Sequence, residues 1–182
     1  MTEEQQCPFC AIASGNIPSK VLYEDDAVVA FLDINPANAG HTIIIPKKHY
    51  AFLYQVPTEE MVKLFAVAKA LSVAVVQAGG AQGMNMIYSM GPAAGQRAPH
   101  MMIHLIPRFE NDKVVISWDS APASEENLVN MADKIKSTLR SGGVSTPETI
   151  EAPKPEPKPS EPEKQDEEEK PKITWVPPKR VP

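Results

Sequence analysis

Pro99-His100-Met101-Met102-Ile103-His104-Leu105-Ile106-Pro107 is the stretch from which the rest of the chain is read. It predicts a strand, an apolar run bounded by prolines. Side chains in a strand alternate between faces, so residues 100, 102 and 104 share one face. Met101, Ile103 and Leu105 then occupy the other, which suits packing into a core. At about 3.3 Å per residue, His100 and His104 stand roughly 13 Å apart. One metal ion or one phosphate cannot hold both, so each imidazole requires its own partner.

Working outward, Met84 to Met90 predicts a neighbouring strand, joined to the first by Gly91-Pro92-Ala93-Ala94-Gly95-Gln96. Val21 to Tyr23 and Ala27 to Leu32 predict a hairpin around Glu24-Asp25-Asp26, and His41 to Pro46 a further apolar strand. Pro57-Thr58-Glu59-Glu60 starts a helix, with Thr58 as N-cap and acids in the first turn. Apolar residues at Met61, Leu64, Phe65, Ala68, Leu71, Val75 and Val76 keep a helical period until Gly79-Gly80. A last helix starts at Ser124 and stops at Gly142-Gly143. Strands without regularly alternating helices predict an α+β fold: an antiparallel sheet, a long central helix and a C-terminal helix. Gly79-Gly80-Ala81-Gln82-Gly83 is no dinucleotide fingerprint, because it follows a helix instead of opening one after a strand.

The chain has 182 residues and a formal net charge of -5, with 42% hydrophobic and 23% charged residues. That balance gives no general pull toward nucleic acid or anionic lipid. Uninterrupted apolar stretches fall well short of the roughly 18 residues of a bilayer span. Met1 to Gln6 carries neither a basic flank nor an apolar run, so a cytoplasmic protein without a secretory leader is expected. Ten of the 19 prolines fall between Gly143 and Pro182. That segment has too few apolar residues to offset the entropy of ordering it. Residues 1–142 are therefore expected to form the domain, and residues 143–182 a disordered Pro- and charge-rich tail. Pro153 to Pro159 reads as an extended spacer, and Ile173 to Arg180 as a segment able to dock on a protein partner.

Reactive side chains are few. There are four His (His41, His49, His100 and His104) and two Cys, in Cys7-Pro8-Phe9-Cys10. A Cys-x-x-Cys pair suits tetrahedral zinc, with His49 and His100 available to complete the site. The same tetrapeptide fits a redox motif, but such motifs follow a strand, and only six residues precede Cys7. The Gly91 to Arg97 loop can bring backbone N–H groups and the Arg97 charge to an anion.

Taken together these residues resemble a histidine-triad (HIT) nucleotide-binding protein, from about Cys7 to Phe109. The resemblance is carried by Cys7-Pro8-Phe9-Cys10, Gly15-Asn16-Ile17-Pro18-Ser19, Phe31-Leu32-Asp33-Ile34-Asn35-Pro36, Gly40-His41-Thr42, Ile45-Pro46-Lys47-Lys48-His49, Gly91 to Gln96 and Pro99 to Arg108. It implies a homodimer of α+β subunits that binds purine nucleotides. It also implies kinship with enzymes that hydrolyse nucleoside phosphoramidates or dinucleoside polyphosphates, or transfer nucleotidyl groups, through a nucleotidyl-histidine. By resemblance, Asp33 holds the ribose hydroxyls and Ile34 packs near the base. Ser89, Gly95, Gln96, Arg97 and His104 serve the phosphates with His41 beside them, and Cys7, Cys10, His49 and His100 hold structural zinc.

The family's His-x-His-x-His reads here as His100, Met102 and His104. The middle His is the family's nucleophile, and a thioether has no ring nitrogen with which to form the phosphorus–nitrogen bond. Ser89 stands where the family usually has Asn, and Arg97 where it often has a small or acidic residue. The resemblance thus implies a nucleotide-binding protein with lost or reduced activity. The alternatives are a hydrolase using His104, His41 or direct water attack, and an interaction module acting through its tail.

Overall fold

The computed structural model describes residues 6–141; the expected tail at residues 143–182 lies outside them. Five strands form one antiparallel sheet in the order β1-β2-β3-β5-β4. β1 (Val21–Glu24) and β2 (Val28–Leu32) are the expected hairpin. Its turn is held by Asp25, whose Oδ1 accepts the N–H groups of Ala27 at 2.8 Å and Val28 at 2.7 Å, a carboxylate mimicking a backbone turn. β3 (Thr42–Pro46) is buried along its whole length and lies between β2 and β5 (Ile103–Arg108). β4 (Gly83–Tyr88) pairs with β5 from Gly83↔Arg108 to Tyr88↔Ile103 and forms the far edge.

β5 starts four residues later than the sequence predicts. Pro99 has no N–H for a ladder, and the next residues bond elsewhere: Met101 N–H donates to Tyr50 O at 2.6 Å. His100 therefore precedes the strand that carries His104, and the spacing argument built on one continuous strand does not apply. Its consequence survives, because the two imidazoles go to different clusters.

The central helix, α2 (Thr58–Gly79), places Thr58 inside the helix instead of at its cap; Pro57 is the N-cap and supplies no side-chain bond. Glu59 and Glu60 in the first turn still complement the helix dipole. The helix ends at Gly80, whose φ of 61° is one that glycine adopts without a Cβ clash. By length and mean hydropathy α2 would pass for a membrane span, yet Leu64, Val67 and Ala68 are buried against the sheet. It is the core helix.

Period-two alternation splits the sheet cleanly. Val28, Ala30, Ile44, Ile103 and Leu105 face α2, where they join Leu64, Val67, Ala68 and Met101 in one apolar cluster. Val29, Phe31, Ile43 and Ile45 face the opposite way, with Phe9, Ile12, Ala13 and Met102 packed on them. That second face is covered by a short helix the sequence did not announce, α1 (Pro8–Ala13). The C-terminal helix, α3 (Glu125–Arg140), starts as expected, with Ser124 Oγ accepting from Asn127 N–H at 3.3 Å. None of its residues is buried, and Leu128, Met131, Ile135 and Leu139 are exposed.

Candidate functional site

Two His-containing clusters form on the α1 side of the sheet. The first is built by α1. Cys7 is its N-cap and Cys10 lies one turn on, so both sulfurs are on the same side of the helix. Cys7 Sγ is 3.4 Å from His100 Nδ1, Cys10 Sγ is 3.6 Å from the same nitrogen, and Cys10 Sγ is 3.2 Å from His49 Nδ1. Zinc bound to sulfur at about 2.3 Å and nitrogen at about 2.0–2.1 Å in a tetrahedron sets neighbouring donors about 3.5 Å apart. The four side chains fit the ion. His100 Nε2 lies 3.0 Å from Pro46 O, the outer bond that orients a metal-binding imidazole. Burial and the neighbouring His49 favour neutral His100 while the Pro46 carbonyl opposes them; burial dominates and its pKa is lowered. Neither sulfur is in a disulfide, and Cys7 is only 3% exposed, which denies it the access a redox thiol needs.

The second cluster lies in a cavity of about 650 Å³ on the same side of the sheet. His104 on β5 and Met102 just before it both line it, as does His41, which precedes β3. His41 is brought there by a tight approach at Gly40. There φ is +87°, and an added Cβ would lie 3.3 Å from Pro107 Cγ. His41 Nδ1 accepts the Ala37 N–H at 3.1 Å, so the ring proton sits on Nε2, which faces His104 Nδ1 at 3.0 Å. His104 then carries its proton on Nε2, the nitrogen with no protein partner among the described residues. Asp33 Oδ2 is 3.4 Å from His41 Nδ1. Burial lowers the pKa of both rings, aided at His104 by His41 and opposed at each by Asp33.

Its apolar lining includes Pro8, Phe9, Ile12, Phe31 and Ile43, with Ile34 87% exposed. Ser89, Gly95, Gln96, Arg97 and His104 also line it. Every expected site residue thus falls in one of the two clusters. Gln96, however, spends its amide on its own loop and its neighbours: Oε1 accepts from Gly91 N–H at 2.7 Å, and Nε2 donates to Ala51 O and Ala98 O. It shapes the loop and has no donor left for a ligand. The sequence reading missed the apolar wall of Pro8, Phe9 and Ile12. Its one signal was proline directly after Cys7, a residue favoured at the first position of a helix.

A family model described as the HIT domain matches residues 14–111. An uncharacterised HIT-like protein of Methanocaldococcus jannaschii is 44% identical over 112 residues, 62% of this chain and 86% of that protein. The Arabidopsis thaliana protein named adenylylsulfatase HINT3 is 37% identical over 147 residues, covering 81% of this chain and 74% of its own length. Among solved structures, a histidine triad nucleotide-binding protein from Candida albicans superposes with a TM-score of 0.68 at 30% identity, over 74% of this chain and 98% of that one. A Zn-bound histidine triad protein from Mycobacterium smegmatis gives 0.57 at 34% identity, over 74% and 99%. The fold agrees with these likenesses, and the chain is a member of the HIT-domain family.

Proposed function

We propose that this protein binds a purine nucleotide in the cavity beside His104 and has lost, or keeps little of, the nucleotidyl-transfer chemistry of its relatives. Met102 carries the reading. It lines the cavity at the place of the attacking imidazole, packed on Val29, Phe31, Ile43 and Ile45. Its sulfur has no ring nitrogen to bond phosphorus and then release it. The binding parts remain: Asp33 for the ribose hydroxyls, Ile34 against the base, and Ser89, Arg97 and His104 for phosphate, with Arg97 on a loop tied by Gln96 and turned at Gly95, whose N–H goes to Pro92 O. Structural zinc at Cys7, Cys10, His49 and His100 belongs to the same reading. A homodimer does too, and the exposed apolar residues of α3 give it a surface to bury. So does cytoplasmic residence, where thiols stay reduced.

One observation favours hydrolysis without a covalent intermediate. Asp33, His41 and His104 stand in line, and His104 Nε2–H can give its proton to the departing group and regain one from the attacking water. Calorimetry with AMP, followed by turnover of adenosine 5′-phosphoramidate, separates the readings. Measurable AMP binding with negligible turnover, and turnover gained in Met102→His, is expected. No heat up to millimolar AMP ends the nucleotide reading. Wild-type turnover that is abolished in His104→Ala replaces the lost-activity reading with the hydrolytic one.

A further inference from the structure

An exposed arginine is ordinarily a solvated surface charge, but Arg97 sits on a loop that has committed most of its other donors. The N–H groups of Ala94 and Gln96 go to Gly91 O, and that of Gly95 goes to Pro92 O. Gly91 N–H and both Gln96 amide hydrogens are used within the loop and on Ala51 O, as described above. Those four backbone N–H groups are therefore committed within the loop, and of its backbone donors only Ala93 and Arg97 N–H have no partner among the described residues. Among the side chains that line the cavity, Ser89 and His104 each offer one proton. Arg97 offers a planar fork of five and a permanent positive charge, and no hydrogen bond or ion pair engages it among the described residues. It is the only Arg or Lys in the cavity wall.

Depth separates these groups. His104 on β5 and Met102 just before it are half-buried, and Met102 packs against the apolar cluster beneath. Arg97 is exposed on the loop at the rim. A phosphate at that depth has His104 and Ser89 to meet it; a guanidinium at the rim meets whatever extends outward from that phosphate. We infer that Arg97 selects ligands carrying a second anionic group beyond the phosphate nearest the ribose, so that the pocket prefers a nucleoside diphosphate to a monophosphate. This rests on the nucleotide-binding reading and specifies its ligand class.

The test is calorimetry of AMP and ADP, without magnesium, on the full-length, zinc-replete protein and its Arg97→Gln and Arg97→Lys variants. ADP is expected to bind about tenfold more tightly than AMP to the wild type, the scale of one charge-assisted, bidentate contact. In Arg97→Gln that ratio falls to about one, whereas Arg97→Lys, a point charge without the fork, keeps part of it. Raising the salt concentration shrinks the wild-type ratio, as screening requires, and leaves the Arg97→Gln ratio unchanged. Equal AMP and ADP affinities in the wild type overturn the inference while leaving the nucleotide reading intact. The same holds if Arg97→Gln weakens both ligands equally, since Arg97 then holds the first phosphate. If neither nucleotide binds any of the proteins, the nucleotide reading fails and this inference with it.

Discussion

His41 and His104 share a proton: Nε2 of the first lies 3.0 Å from Nδ1 of the second, across 63 residues of chain. The Ala37 N–H sets the direction of that bond by occupying the other nitrogen of His41. A tertiary contact thereby fixes which nitrogen of His104 meets the cavity, and with which protonation state.

The pair makes stability depend on pH. Burial lowers both pKa values below the ordinary imidazole value, about 6.5, so the folded protein holds these rings neutral. In mild acid the unfolded chain binds protons that the folded one refuses, and stability falls as pH drops. The contribution of the pair is complete above about pH 6.5 and is lost below it. Thermal melts between about pH 8 and 5 are expected to show a falling Tm below that point. A His41→Gln, His104→Gln double variant should flatten the slope; an unchanged slope would remove these rings as its cause.

Metal removal should act at two places at once. Pro8 and Phe9 lie between the two cysteines, and both also wall the cavity. Since α1 packs on the sheet only through the half-buried Phe9, Ile12 and Ala13, the Cys7 and Cys10 attachments add to its hold. Chelation, or Cys10→Ser, is expected to lower Tm by roughly 5 °C or more and to weaken AMP binding in the same samples. Identical melting curves with and without chelator would rule out a structural ion.

The two sides of α2 should respond very differently to truncation. Leu64 is buried between the helix and the sheet, whereas Val73 is 55% exposed. Leu64→Ala should cost about 2–5 kcal/mol in urea denaturation, through lost burial and a cavity that the sheet cannot close. Val73→Ala is expected to stay within about 0.5 kcal/mol. Comparable losses at both sites would mean that the outer side of α2 is covered in solution.

Elements legible in the sequence are those whose pattern is local. β2, β3 and α2 follow from apolar periodicity, and the start of α3 from a serine cap that the structure bears out. The face carrying Met101, Ile103 and Leu105 is the buried one, as alternation requires. What was not legible depends on partners far along the chain. The start of β5 moved because Met101 bonds Tyr50 instead of continuing a ladder. Gln96 turned from ligand contact to loop tie because Ala51, 45 residues earlier, accepts its amide. α1 escaped notice because six residues are too short to display a helical period. The metal-ligand quartet was nameable from spacing and resemblance, but its edge lengths needed the fold.

One side of the sheet is clad by a 22-residue helix, the other by a six-residue one and an open hollow. A guest in that hollow is the missing ply of a laminate, and mass action makes each filled copy harder to unfold than a vacant one. Vacant copies are then expected to open more often and reach proteases sooner, so the lifetime of this protein in a cell should track the supply of its guest.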